Sequence, residues 1–300
     1  MAETMITVCI PFSDNEELTS KCLDNINKNS VGPLEVIVID NGSTKEYNFN
    51  HIFTNEDILF KYIRNEKNVG GPTAFKQGLD ASTTDIVCII HNDVLIHEVG
   101  WNNRVEQAFN DDPQLGLGGF FGTLGVHKDG GRMIKSSSNM LGLEWGSPWN
   151  HHGDFLDGIE PAACFDGLGL IFRKSFVEDV DSKYNLFGKD RPPHHWYDRH
   201  ISVAFVAAGY RIATIGIAFD HWSVGSGGIH KDTSKYAETS LEWIDNNLSD
   251  QWFINNQLTK DHGFDSIIYI AGLNMWLHDW ENRLPLTVDA NYNYTWERNE

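Results

Sequence analysis

The most constraining feature of this chain is an apolar run that stops at a carboxylate. Ile86-Val87-Cys88-Ile89-Ile90 has the unbroken hydrophobic character of a strand covered on both faces, and it ends in His91-Asn92-Asp93. Leu34-Glu35-Val36-Ile37-Val38-Ile39 ends in a similar way, at Asp40-Asn41-Gly42-Ser43. Ile6 to Phe12 is a third β-rich run, interrupted near its end by Pro11. Between it and the Leu34 run, Leu18, Cys22 and Ile26 recur every four residues, which gives a helix with one apolar face. Strand, helix and strand in this order predict parallel βαβ units and an α/β fold. Ligands of open α/β sheets sit at the carboxyl ends of the strands. A carboxylate at such an end suits a hard divalent cation that also takes phosphate oxygens. The plainer alternative is a polar turn, and Asn41-Gly42 is a common turn pair.

Local signals extend this pattern. Ser13-Asp14-Asn15 offers helix N-caps, with Glu16 and Glu17 placed for the positive end of the helix dipole, and Val31-Gly32-Pro33 ends that helix. Phe60-Lys61-Tyr62-Ile63 reads as a short strand leading to Asn68-Val69-Gly70-Gly71-Pro72, where proline marks a first helical turn. Ala74, Phe75, Gly78 and Leu79 give that helix its inner face, and its first amides are placed to meet an anion or simply to close a tight loop. Trp101, Val105, Ala108 and Phe109 mark a further helix. No Gly-x-Gly-x-x-Gly follows the first strand, which argues against a dinucleotide oxidoreductase.

Three hundred residues suit one large α/β domain, or one domain with an appendage. The formal charge of −19 repels polyanions, so nucleic acid is disfavoured as a partner. An anionic nucleotide would settle here on a cation or on helix N-termini. Cys9, Cys22, Cys88 and Cys164 are widely spaced in apolar segments, as reduced core thiols are. Met1-Ala2-Glu3-Thr4 lacks the basic start of a secretory leader, and no apolar run reaches the length of a membrane span. The expectation is a soluble, cytoplasmic protein.

Ile-Pro at the first strand end, Val-Ile-Asp-Asn-Gly-Ser at the second, Asn-Val-Gly-Gly before a helix and Asn-Asp-Val at the third site together resemble a family 2 glycosyltransferase. That resemblance spans roughly Met5 to Gly228. It implies the GT-A fold, a nucleotide-binding α/β domain with a mostly parallel central sheet and an Asp-x-Asp metal motif. It implies that Pro11, Phe12 and Ser13 line a nucleotide pocket, that Asp40 binds the base, and that Asn68 and Gly70 lie near the nucleotide. Asp93 matches the metal-binding carboxylate, with Asn92 beside it, and His91 stands where the first carboxylate is usual. An imidazole accepts a hydrogen bond or ligates a metal, and a His-x-Asp subgroup is part of the family resemblance.

The second half is read against this resemblance. Leu115 to Phe121 suggests a short strand and loop, and Gly122 to Pro161 a long acceptor-side loop region whose Trp145 and Trp149 are candidates to stack on sugar rings or to be buried. Phe165 to Arg173 reads as one strand with a polar start, which makes Asp166 an acceptor-side candidate together with His195 and Trp196. Tyr197-Asp198 then opens a helix with Ile201, Ala204, Phe205 and Ala208 on its inner face. The family has a Glu-Asp pair there whose aspartate is the general base, which makes Asp198 the base candidate; a helix N-cap is its structural alternative. Arg211 to Ile217 is a further strand, and the family's metal-facing histidine corresponds to His221. Asp93 and His221 would hold Mn²⁺ or Mg²⁺.

These readings divide the chain into a GT-A domain at 1–228, with a nucleotide-sugar half at 1–112 and an acceptor and catalytic half at 113–228, and a mainly helical extension at 229–300. An amphipathic helix is expected over Ile267 to Trp280, and the extension is a candidate for self-association. The leading functional expectation is a metal-dependent, inverting glycosyltransferase that uses a nucleotide sugar, a UDP-sugar by resemblance, and an acceptor hydroxyl on a carbohydrate or another molecule. The competing readings are a GT-A-like module that binds nucleotide sugars without turnover and, more weakly, a sugar nucleotidyltransferase.

Overall fold

The computed structural model describes residues 6–53, 56–127, 132–137, 154–156, 158–188 and 197–222, with three further short strands nearer the C-terminus. The first half runs β1 (Ile6–Phe12), α1 (Glu16–Asn29), β2 (Leu34–Asp40), β3 (Ile58–Arg64), α2 (Gly71–Ala81), β4 (Ile86–Ile90), β5 (Val94–Ile96) and α3 (Trp101–Asp111). It continues through β6 (Leu115–Gly119), β7 (Phe121–His127), β8 (Arg132–Ser137), β9 (Asp154–Phe155), β10 (Ile159–Pro161), β11 (Cys164–Phe165), β12 (Gly169–Arg173) and α4 (Lys174–Tyr184). Then come α5 (Tyr197–Ala207), β13 (Arg211–Ile215), β14 (Phe219–His221), β15 (Ile267–Tyr269), β16 (Leu286–Val288) and β17 (Tyr294–Trp296).

The main sheet has the order β10-β13-β6-β12-β4-β1-β2-β3. β4, β1, β2 and β3 are parallel, as the βαβ pattern requires, and β12 enters antiparallel between β4 and β6. Successive side chains of a strand point to opposite faces, so a doubly covered sheet feeds two cores. Val8, Ile10, Val36, Val38, Cys88 and Ile90 pack on one side with Cys22 and Ile26 of α1 and Trp101 and Phe109 of α3. Cys9, Ile37, Ile39, Val87 and Ile89 pack on the other with Phe75 of α2, Val180 of α4 and Phe205 of α5. The unbroken apolar runs of β2 and β4 follow from this double burial. All four cysteines are free and buried, in keeping with core thiols.

Several elements differ from the sequence reading. Gly122 to Pro161 is not all loop, because β7, β8 and β9 there form a second sheet with β11. Glycines that weaken the periodic signal are tolerated in these short strands. The strand expected over Phe165 to Arg173 is two strands, β11 and β12, separated by a turn at Asp166–Leu168. Helix α4 arises where the sequence reading placed none. The proposed side-chain caps of α1 do not form: Asn15 is left-handed with no capping hydrogen bond, and Asp14 (also at positive φ) instead accepts from the Thr44 amide and hydroxyl at 2.9 and 2.8 Å. The start of the helix expected over Ile267 to Trp280 is β15, which pairs with β7; residues 270–285 lie outside the described residues. Most of the extension beyond 228 and the boundary itself also lie outside them.

Candidate active site

The carboxyl ends of β4, β1 and β2 open on one edge of the sheet, and the site is built from the loops that leave them. After β4 the chain turns within His91-Asn92-Asp93, with the Val94 amide donating to the His91 carbonyl at 3.2 Å. It re-enters as β5, which pairs antiparallel with β14 so that Val94 faces His221. The Trp222 amide donates to the Asp93 carbonyl at 2.9 Å and clamps the end of this pair. The ladder places His221 Nε2 3.3 Å from Asp93 Oδ1, and His91 Nδ1 lies 4.0 Å from the same oxygen. One ligand atom from each of the three residues falls within 4.8 Å of the others.

Electrostatics bind the three into a unit. Asp93 is buried and its Oδ1 receives no hydrogen bond of good geometry. Burial alone would raise its pKa, but His221 and then His91 outweigh that and hold it below the ordinary carboxylate value. Burial likewise would lower His221, yet the Asp93 carboxylate raises it. His91 is lowered, chiefly by burial and further by the neighbouring His221, against the pull of Asp93, Asp166 and Asp198. A buried carboxylate facing two imidazoles is a donor set that fits a divalent cation. Neighbouring ligands at bond lengths of about 2.1 Å stand roughly 3.0–3.4 Å apart and opposite ones about 4.2 Å. The 3.3 Å and 4.0 Å separations from Asp93 Oδ1 lie within that range.

Asp198 lies in the first turn of α5 and is buried. Its Oδ2 accepts from the Gly167 amide at 3.3 Å, and its Oδ1 from the Arg199 amide at 2.8 Å. Tyr197, beside it, reaches across to His91, with Oη 2.9 Å from Nε2. Gly167 is indispensable to this approach: a Cβ there would lie 2.1 Å from Oη. The turn at Asp166–Leu168 therefore joins the two groups. Asp166 Oδ1 accepts from the Leu168 amide at 3.2 Å, and the Leu168 carbonyl accepts from the His91 amide at 2.9 Å. Trp145, Trp149, His195 and Trp196 lie outside the described residues.

The nucleotide-side candidates divide into those at the opening and those inside the framework. Pro11 is half-buried and Ser13 exposed at the end of β1, whereas the Phe12 ring is buried edge-on against Phe49 at 5.4 Å. Asp40 has no exposed side-chain surface: Oδ1 accepts from the Ser43 amide at 2.8 Å, Oδ2 from Tyr62 at 2.7 Å, and Arg64 Nη1 stands 3.4 Å from Oδ2. The carboxylate expected to meet a base is thus already engaged in holding the loop after β2. Asn92 is turned away toward α1, donating to Thr19 Oγ1 at 2.9 Å.

Sequence reasoning missed the residue at the centre of this edge. Asn41 Oδ1 accepts from Asn65 Nδ2 at 3.2 Å and from the Val69 amide at 3.0 Å, and its Nδ2 donates to Asn68 Oδ1 at 3.1 Å. Asn68 Oδ1 also accepts from the Gly70 amide at 2.9 Å, and Asn65 and Gln77 exchange two amide hydrogen bonds. This set fixes the loop over Asn68 and Gly70 that leads into α2. The clustering of amide side chains around Asn65 and Asn68 was the available signal.

Comparison with known proteins bears on the fold and the family. N-acetylglucosaminyltransferases of Azorhizobium caulinodans and Rhizobium meliloti are 21% identical over 245 residues and 23% over 212. These matches cover 79% and 69% of this chain but 58% and 48% of the relatives, so the chain spans about half their length. Among solved structures, GalNAc-T7 with UDP, GalNAc and Mn²⁺ has a TM-score of 0.54 at 11% identity, over 73% of this chain and 44% of its own. S. aureus TarS has a TM-score of 0.50 at 14% identity, over 72% and 36%. The likeness is one of fold, the GT-A arrangement with its mostly parallel sheet. The model of "Glycosyl transferase family 2" matches residues 7–179, more than half of the sequence, and the chain belongs to that family.

Proposed function

We propose that this protein transfers a sugar from a nucleotide-sugar donor to an acceptor hydroxyl, with inversion at the anomeric carbon, assisted by a divalent cation. The observation that carries the reading is the buried Asp93 carboxylate, with His221 Nε2 3.3 Å and His91 Nδ1 4.0 Å from its Oδ1, at the carboxyl edge of the parallel strands. Asp93 and His221 would hold the cation, Mn²⁺ or Mg²⁺. When bound, the cation stabilises the charge that develops on the leaving diphosphate.

The rest is the work of the chain. The loop fixed by Asn41 and the first turn of α2 bracket the nucleotide, with Pro11 and Ser13 on its other side. Asp198 takes the acceptor proton, as the bond to the anomeric carbon forms, because a sugar hydroxyl is too weak an acid to lose it unaided. The Gly167 amide aims the carboxylate from one side and the Arg199 amide from the other. UDP-N-acetylhexosamines are the first donors to test, since curated relatives are named N-acetylglucosaminyltransferases and a structural neighbour was solved with UDP, GalNAc and Mn²⁺. Among the described residues, no helix is long and apolar enough to cross a membrane.

The test is release of nucleoside diphosphate from a panel of nucleotide sugars with Mn²⁺, with and without acceptor extracts. Turnover that is lost in Asp93→Ala and Asp198→Asn supports the assignment. Nucleotide-sugar binding without turnover of any donor identifies a binding module instead, a reading that the replacement of two usual carboxylates by His91 and Tyr197 keeps in play.

A further inference from the structure

We infer that Tyr197 is the positioning residue of the cation site: its phenol holds the His91 ring so that Nδ1 faces Asp93 and His221, making His91 a third ligand. This rests on the cation reading above. His91 and Tyr197 are the two positions where the family pattern would place carboxylates, and the structure brings them into contact, with Nε2 and Oη 2.9 Å apart.

The physical reason lies in what an imidazole needs that a carboxylate does not. A carboxylate presents two equivalent oxygens, whereas a neutral imidazole presents one lone pair, set by the tautomer and by the ring's orientation. The hydrogen bond at the other nitrogen fixes both. Nδ1 of His91 is 4.0 Å from Asp93 Oδ1, beyond hydrogen-bond reach, so a proton there would have no acceptor in that carboxylate oxygen. On Nε2 the proton meets Tyr197 Oη, and the Nδ1 lone pair is left on the side of Asp93 and His221.

Tyr197 is itself held by its surroundings. Its ring stands edge-on to Phe75 of α2 at 5.1 Å and 77°. Gly167 leaves room for Oη on the other side, where any Cβ would overlap it. Ring orientation at His91 is thus set by α5, by α2 and by the turn before β12. Binding by His91 converts the pair of Asp93 and His221 into a ligand set of one carboxylate and two imidazoles.

The test is Mn²⁺ titration of the full chain, followed by loss of the free-ion EPR signal, with pulsed EPR to count imidazole ¹⁴N couplings. Tyr197→Phe keeps the ring against Phe75 and removes only the hydroxyl. It is expected to weaken Mn²⁺ binding by about 10- to 100-fold. One of two ¹⁴N couplings is lost, while the metal-free melting temperature falls by only about 2–4 °C, the cost of one hydrogen bond. His91→Ala loses the same coupling, and adding Tyr197→Phe to it weakens binding no further. A Tyr197→Phe protein with wild-type affinity and two couplings overturns the inference, as does a double variant whose losses add. A wild type that binds Mn²⁺ with one ¹⁴N coupling refutes this inference alone. A wild type that binds no Mn²⁺ sinks the cation reading and this inference with it.

Discussion

Gly167→Ala is a one-methyl test of how the site is assembled. The added Cβ would stand 2.1 Å from Tyr197 Oη, 2.6 Å from Cζ and 2.7 Å from Cε2, so the whole ring edge must retreat. It is packed against Phe75, and its hydroxyl is tied to His91. Overpacking of this kind costs about 1–3 kcal/mol. Loss of the hydrogen bond adds about 1 kcal/mol. The sum, roughly 2–4 kcal/mol, corresponds to a fall in melting temperature of roughly 5–10 °C for a domain of this size. Urea unfolding and Mn²⁺ titration on the same preparation read both consequences, because the displaced phenol also frees the His91 ring. In a Tyr197→Ala background the space is empty, so adding Gly167→Ala should cost much less than it does in the wild type. A Gly167→Ala protein as stable as the wild type, with the same Mn²⁺ affinity, would falsify the proposed packing of the Tyr197 ring.

Three further outcomes are expected. Asp198→Asn should lower transfer about 10²- to 10⁴-fold, measured by nucleotide release, while leaving donor affinity unchanged by calorimetry. Glu35, buried beneath Thr7 and Lys61, gives a pH test of the fold. Burial would raise its pKa, but Lys61, Thr7 and the Thr83 amide outweigh burial and lower it. Its ionised form therefore contributes stability that is fully present above the unfolded value of 4.5 and lost as pH falls through the folded one. Glu35→Gln should cost about 1–3 kcal/mol in urea unfolding at neutral pH, because the Lys61 left behind is partly solvated. That difference should shrink once the pH is below the folded value; an undiminished gap in strong acid contradicts the assignment. Asn41→Ala strands the Val69 amide and the Asn65 side chain, so it should cost about 2–4 kcal/mol. Amide exchange at Val69 reports it directly, and unaltered protection there refutes the role of Asn41.

Much of the nucleotide-side half was legible because its signals are local. Apolar runs at Leu34–Ile39 and Ile86–Ile90, the Pro72 helix start and the four-residue spacing of Leu18, Cys22 and Ile26 each state their element without reference to distant residues. Asp93 and His221 could be paired only through the family resemblance, since the β5–β14 ladder that joins them links segments far apart in the chain. The phenol–imidazole contact carried no sequence signal at all. It depends on how α5, packed against β11, brings its first turn to the end of β4, and on a glycine whose importance lies in what occupies the space beside it. Asp40 shows the opposite limit. A carboxylate at a strand end looks unengaged in sequence, whereas Tyr62 and the Ser43 amide, placed by β3 and the following turn, each donate to one of its oxygens.

The short ladder between β5 and β14 also sets an order of events during synthesis. Asp93 leaves the ribosome long before His221, with the β7–β8 hairpin, β12 and α5 still to come. Contacts this distant in sequence form late, after the closure of a long loop has been offset by other packing. A nascent chain that has finished the parallel strands but not β14 holds its carboxylate without the imidazole that completes it. On the proposed reading, a cation would find both ligands only in a chain whose two halves have met.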